Sequence, residues 1–163
     1  MSRYTHVFQQ MHIVRAYKPL HFRQVRSLLY AYGISRNLDE ALGNYFEELA
    51  SLPQQYGPPH GCILLGSTKQ EPLGCVAFRP EREGICEMKR LYVSPQSRGQ
   101  HVGKKLCLRL MDIAKARDYQ IMRLDTHPSM RSAQRLYQSL GFYEIERYND
   151  NPIPGIRFFE RPL

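Results

Sequence analysis

The period of the apolar positions changes several times along this 163-residue chain, and each change marks an element. Residues 11–17 alternate as a strand does. Pro19 then opens LHFRQVRSLLYAYG, in which Phe22, Val25, Leu28 and Leu29 form one helical face that ends near Gly33. A second helix is expected from Leu38, because Leu42, Tyr45, Phe46 and Leu49 keep helical spacing, and LPQQYGPPHG after it reads as an irregular loop. Residues 62–65 and 73–78 are short strands joined by a polar turn, hence a hairpin. Residues 79–84 turn the chain into the next strand. Further on, residues 120–126 form a strand and residues 129–140 a helix, with Ala133, Leu136, Tyr137 and Leu140 at i, i+3, i+4 and i+7 and Gly141 as its C-cap. Residues 142–148 and 156–160 make a terminal hairpin around NDNPIPG. Residues 1–10 are polar and aperiodic, a flexible lead-in to one domain over residues 11–163.

The most informative change of period lies within residues 86–110, CEMKRLYVSPQSRGQHVGKKLCLRL, a strand that runs into a helix. In the strand half, Cys86 and Met88 share one face while Glu87 and Lys89 take the other. Leu91 and Val93 then fall on the parity of Glu87. Either a β-bulge near Arg90 or Leu91 absorbs the slip, bending the strand and leaving a backbone N–H unpaired, or the strand is buried on both faces. In the helix half, Val102, Leu106, Leu110 and Ile113 recur at spacings of four, four and three, with Lys104, Lys105, Arg109 and Lys115 on the other faces. The first amides of such a helix lack intrahelical acceptors and lie at the positive end of its dipole. Gly99 and Gly103 keep that end open, so the join is able to receive a phosphate, although glycines there also suit a plain turn. Neither GxGxxG nor GxxxxGK[ST] is present.

Composition narrows the classes. The net charge of +8 raises nucleic acid as a partner, but the 23 Lys and Arg residues are dispersed, with no basic run longer than Lys104-Lys105. A small polyanion at the cluster between Arg98 and Arg109 accounts for the local charge as well, and no nucleic-acid partner is expected. The four cysteines and six histidines show no metal-ligand spacing, so no metal is expected and the thiols read as reduced core residues. There is no run of eighteen apolar residues and no apolar stretch in residues 1–10, which argues for a cytoplasmic protein without a membrane partner.

The segment LYVSPQSRGQHVGKKL resembles the acetyl-CoA-binding segment of the GNAT superfamily of N-acetyltransferases, [QR]-x-x-G-x-[GA] after a strand that ends in a hydrophobic-x-Val run and a Pro. Arg98 matches its first position and Gly103 its last, while His101 stands where the family usually has glycine. SAQRLYQSLGF, residues 132–142, is similar to the A-x-x-L-Y-x-x-x-G-F segment of the same superfamily, with Met130 at a position where that family often has Asn. The resemblance implies a mixed α+β fold, a central, mostly antiparallel twisted sheet of about seven strands flanked by about four helices. It also implies acetyl-CoA as co-substrate, held by the main chain of Leu91, Tyr92 and Val93 and by Arg98, Gly99, Gln100, His101, Val102, Gly103 and Lys104. The Val93 N–H is implied to polarise the thioester carbonyl.

Acetyl transfer to an amine needs a neutral amine, a polarised carbonyl and a proton for the departing thiolate. Glu87 is the leading base, being acidic and placed just before the slip in parity; it also reads as a strand Glu paired with a neighbouring cation. Asp125, at the end of the next strand, is its reserve. The resemblance makes Tyr137 the group that faces the CoA sulfur, and the same residue fits a core position on the apolar helix face. Tyr30 and Tyr32, with Tyr148, Asp150 and Asn151, are expected on the acceptor side. The reaction expected is direct attack of a primary amine of a small molecule or peptide in a ternary complex, by a monomer or homodimer. The alternative is a GNAT-fold module that binds CoA or a partner without catalysis.

Overall fold

A computed structural model describes residues 10–163. All but the last residue of the polar lead-in lies outside the described residues. The elements run β1 (His12–Arg15), α1 (Pro19–Arg36), α2 (Leu38–Leu42), α3 (Tyr45–Ala50), α4 (Leu52–Tyr56), β2 (Cys62–Ser67), β3 (Pro72–Arg82), β4 (Ile85–Val93), α5 (Val102–Ala116), β5 (Ile121–Thr126), α6 (Arg131–Ser139), β6 (Tyr143–Ile145) and β7 (Arg157–Pro162). A 3₁₀ turn, Pro95–Ser97, lies between β4 and α5. The seven strands form one open sheet in the order β1-β2-β3-β4-β5-β7-β6. Every neighbouring pair is antiparallel except β4 with β5, which run parallel.

Helices cover both faces, which is why the central strands are apolar on both sides. On one face α5 buries Val102, Leu106, Leu110 and Ile113, the expected stripe, against Leu64, Val76, Phe78 and Met88. On the other, Val25 and Leu29 of α1 and Tyr45, Leu49 and Tyr56 of the short helices pack on Ile63, Leu65, Cys75 and Ala77. All four cysteines are buried free thiols. No helix among the described residues is long and apolar enough to cross a membrane.

Three expectations need correction. Gly33 does not end α1, which continues to Arg36 and stops where Asn37 takes the left-handed conformation. A Cβ at Gly33 would collide with the Tyr45 ring, so this glycine serves a close approach rather than a cap. The expected second helix is two short ones, because Gly43, with φ of 81°, ends α2, and the expected loop opens with a further helix, α4, with Pro53, which lacks an N–H, in its first turn. The strand expected over residues 142–148 pairs with β7 only at Tyr143–Ile145, after which the chain leaves the sheet.

The parity slip in β4 is a bulge. Cys75 pairs with Tyr92 but Ala77 with Lys89, so Arg90 and Leu91 together face the single residue Val76. Arg90 sits at φ of 60°, a left-handed conformation in the middle of a strand.

Candidate active site

β4 and β5 pair only at Ile85, Cys86 and Glu87 against Ile121, Met122 and Arg123, and then part as the bulge bends β4 away. A cavity of about 700 Å³ opens beside the split, with Glu87 and Leu91 of β4, Asp125 of β5 and Tyr137 of α6 on its wall. Tyr32 from α1 and the loop of Asn149 and Asn151 close it from the other side.

Glu87 is 5% exposed and fully partnered. Its Oε2 accepts hydrogen bonds from the Tyr148 hydroxyl at 2.7 Å and from Asn149 Nδ2 at 3.1 Å. Its Oε1 faces Arg79 Nε at 3.4 Å and Lys89 Nζ at 3.9 Å. Asn149 Nδ2 reaches Asp125 Oδ2 as well, at 2.7 Å, and Lys89 Nζ lies 3.6 Å from Asp125 Oδ1. Two carboxylates on neighbouring strands are thus bridged on one side by an ammonium and on the other by an amide, which removes their mutual repulsion. Burial alone would push the Asp125 carboxyl up, but Lys89 and the hydrogen bonds from Asn149 and Asn151 outweigh it and hold it below its ordinary range. Burial, with the adjacent Glu87 carboxylate, pushes the Tyr148 phenol well above its ordinary value.

The loop that delivers Tyr148 and Asn149 holds itself in place. Asn149 Oδ1 accepts from the Asn151 N–H at 3.1 Å, Asn151 Oδ1 accepts from the Ile153 N–H at 3.0 Å, and Arg147 donates to the carbonyls of Asn149 and Asn151.

Tyr137 is 7% exposed, its ring packed edge-on against Phe142 with centroids 5.9 Å apart, and among the described residues its hydroxyl has no hydrogen-bond partner. Burial drives its pKa far up, so the phenol keeps its proton at neutral pH. Next along β4, Ser94 N–H donates to Leu73 carbonyl at 2.8 Å. An antiparallel ladder alternates its bonding sides, so the Val93 N–H points away from β3, toward the side that β5 has vacated. The turn beyond places Gly99 at φ of 79° and His101 at φ of 61°, both left-handed, immediately before α5. A Cβ on Gly103 would touch Leu136 of α6 at 3.4 Å and Val93 at 3.5 Å, which places the helix start beside the end of β4.

Glu87, Leu91 and Tyr137, read from sequence, therefore meet in one cavity. Tyr92 lies next to it with its ring 5.0 Å from that of Tyr32. Arg98, Gly99, Gln100, His101 and Lys104 are exposed around the start of α5, and the side chain of Val102 belongs to the core, leaving only its main chain to a ligand. Tyr32, Asp150 and Asn151 line the cavity as expected, but Tyr30 does not; its ring stacks on Phe46. Sequence reading missed Arg79, Lys89, Asn149 and Glu48. For Glu48 a signal existed, since it sits between the buried Tyr45 and Leu49 on the apolar face of α3. Among the described residues no group of three or more His, Cys, Asp or Glu is placed to hold a metal ion.

An open mixed sheet split between two parallel central strands, with a glycine-bearing helix start beside the split, is the frame that the sequence resemblance implied. Residues 24–142 match the Acetyltransferase (GNAT) family, and the chain belongs to it. An uncharacterised N-acetyltransferase of Schizosaccharomyces pombe is 42% identical over 121 residues, 73% of this chain and 74% of that protein. The chain spans only 32% and 41% of two longer relatives. Among solved structures, an acetyltransferase from Streptococcus agalactiae superposes with a TM-score of 0.78 at 24% identity, covering 96% of this chain and all of the other. A Salmonella typhimurium structure solved with acetyl-CoA as its cofactor gives a TM-score of 0.70 at 20% identity, over 93% of each chain.

Proposed function

We propose that the protein transfers the acetyl group of acetyl-CoA to a primary amine of a small molecule or peptide, by direct attack in a ternary complex. The observation that carries this reading is the split after Glu87, which leaves the Val93 N–H unpaired beside a cavity that holds a carboxylate and a protonated phenol. The pyrophosphate binds at the start of α5, on the amides of residues 99–104 with Arg98 and Lys104 alongside, and the pantetheine arm lies along the main chain of Leu91, Tyr92 and Val93 in place of a further strand. The thioester carbonyl then accepts a hydrogen bond from Val93 N–H, which strengthens as the oxygen becomes an oxyanion. Glu87 takes the proton of the attacking nitrogen through water, with Asp125 as its reserve, and Tyr137 gives its proton to the leaving thiolate. The four reduced thiols suit a cytoplasmic enzyme, acting as monomer or homodimer.

Calorimetric titration with acetyl-CoA, followed by CoA release over a panel of primary amines, tests the reading. Saturable binding and amine-dependent thiol release are expected. Binding without release for any amine would leave the non-catalytic module, and affinity for DNA that falls with salt would reverse the exclusion of nucleic acid.

Two substitutions probe the cofactor turn. Gly103→Val places γ-carbons against Val93 and Leu136 at the helix start that the cofactor must approach, and is expected to weaken CoA binding about tenfold or more, ~1.4 kcal/mol, a larger effect than the loss of stability from overpacking those two side chains. Wild-type affinity in that variant would displace the site from this turn. His101→Gly is expected to bind CoA as wild type does, because glycine adopts the left-handed conformation of residue 101 without strain and the imidazole is exposed. A large loss of affinity would mean that the imidazole itself holds the cofactor.

A further inference from the structure

The bulge in β4 has a non-glycine residue at its left-handed position. L residues with a large side chain rarely stay there unless something outside the backbone fixes them. Arg90 is fixed at several points. Its Nε donates to Glu48 Oε2 at 2.7 Å, its guanidinium lies 4.9 Å over the centre of the Tyr45 ring, and its carbonyl accepts from the Cys75 thiol at 3.5 Å.

Glu48 is in turn immobilised. Its Oε1 accepts from the hydroxyl of fully buried Tyr56 at 2.8 Å and faces Arg79 at 3.5 Å. The helix that carries it is tied to α1 by Tyr45 hydroxyl to Leu29 carbonyl at 2.7 Å and by Arg26 Nε to Leu49 carbonyl at 2.9 Å. Burial pushes the Glu48 carboxyl up, yet Arg90 and Tyr56 bring it below its ordinary range, so it is an anion at neutral pH.

The bulge decides more than a local bend. Side chains and amides alternate with period two, so the one extra residue at Arg90 and Leu91 sets which side every later residue of β4 presents. Without it, the Val93 N–H would turn toward β3 and away from the split.

We propose that Glu48 is a positioning residue for acetyl transfer, holding Arg90 in its left-handed conformation so that the bulge keeps the Val93 amide turned into the split between β4 and β5. This rests on the reading of that amide as the donor to the thioester carbonyl. Glu48 lies on the cavity wall and pairs with Arg79 as well, but it reaches the Val93 amide only through Arg90.

The test compares wild type with two double variants that both remove the buried ion pair, Glu48→Gln/Arg90→Gly and Glu48→Gln/Arg90→Ala. They differ only in whether residue 90 reaches positive φ unaided. The probe is acetyl-CoA labelled with ¹³C at the thioester carbonyl, read by difference infrared spectroscopy when bound. Wild type and the glycine variant are expected to lower the carbonyl stretch relative to free acetyl-CoA, and the alanine variant to return it toward the free value while CoA affinity stays within about threefold. An alanine variant with the wild-type shift overturns the proposal. If wild type itself shows no shift, the carbonyl-donor reading fails, and the clamp is judged by the backbone amide chemical shifts of residues 90–93. At Tyr92 and Val93, beyond the direct effect of the substitution, those should match wild type with glycine and move with alanine; amides there unmoved by alanine overturn the clamp too.

Discussion

Tyr137→Phe is expected to lower kcat by roughly 10- to 1000-fold while leaving the fold and the affinity for acetyl-CoA nearly unchanged. Phenylalanine keeps the ring and its edge-on contact with Phe142, and it removes only a hydroxyl that has no hydrogen-bond partner among the described residues. The lost group therefore has little structural work, and the variant should unfold within a few degrees of wild type. As the thioester breaks, negative charge builds on a sulfur whose conjugate thiol has a pKa of about 8.5, so a protonated phenol beside it lowers the barrier chiefly in the transition state. Burial keeps that phenol protonated throughout the working pH range. Steady-state kinetics with acetyl-CoA in saturation, checked by a pre-steady-state measurement that chemistry limits the rate, decides the matter. An unchanged kcat would return Tyr137 to core packing and make solvent the proton source.

Glu87→Gln is expected to have the other large effect, a fall in kcat of about 10²- to 10⁴-fold with alkylamine acceptors. A primary alkylamine of pKa about 10.4 is neutral in only roughly one molecule in 2,500 at pH 7, so removal of its proton is a large part of the barrier. Glutamine keeps the shape but not the charge that Arg79, Lys89, Tyr148 and Asn149 surround. Some loss of stability is expected too, because two cations lose a buried partner. That loss would not discriminate among acceptors. Aromatic amines, already neutral at pH 7, should lose much less activity than alkylamines in this variant. Equal losses for both classes would show that Glu87 supports the structure of the pocket rather than proton removal.

Several parts of this molecule were legible because they depend on local patterns. The stripe of Val102, Leu106, Leu110 and Ile113 is a helical face whatever it packs against, and all four side chains are buried. The slip of parity between Met88 and Leu91 left two readings open, and the register against β3 resolves it as a bulge. Punctuation was less legible. Gly33 carries the sign of a helix end, yet it exists for the Tyr45 ring; Gly43 divides one apolar periodicity into two helices, and a third, with Pro53 in its first turn, occupies the expected loop.

Legible along the chain were the order of the strands and of the last two helices, the helix start beside a glycine-bearing turn, and the three residues Glu87, Leu91 and Tyr137 that meet at the cavity. These follow from periodicity, backbone permissiveness and the family resemblance, all of which act over a few residues at a time. What surrounds Glu87 is set by contacts between distant parts of the chain. Arg79 and Lys89 come from two strands, and Tyr148 and Asn149 from a loop 61 and 62 residues further on, which leaves the sheet to reach it. Such a contact likewise lets a glutamate 42 residues before the bulge hold Arg90. Such pairs leave no periodic trace, because the stability of a buried charge depends on which donors the fold brings within hydrogen-bond distance, not on its neighbours along the chain.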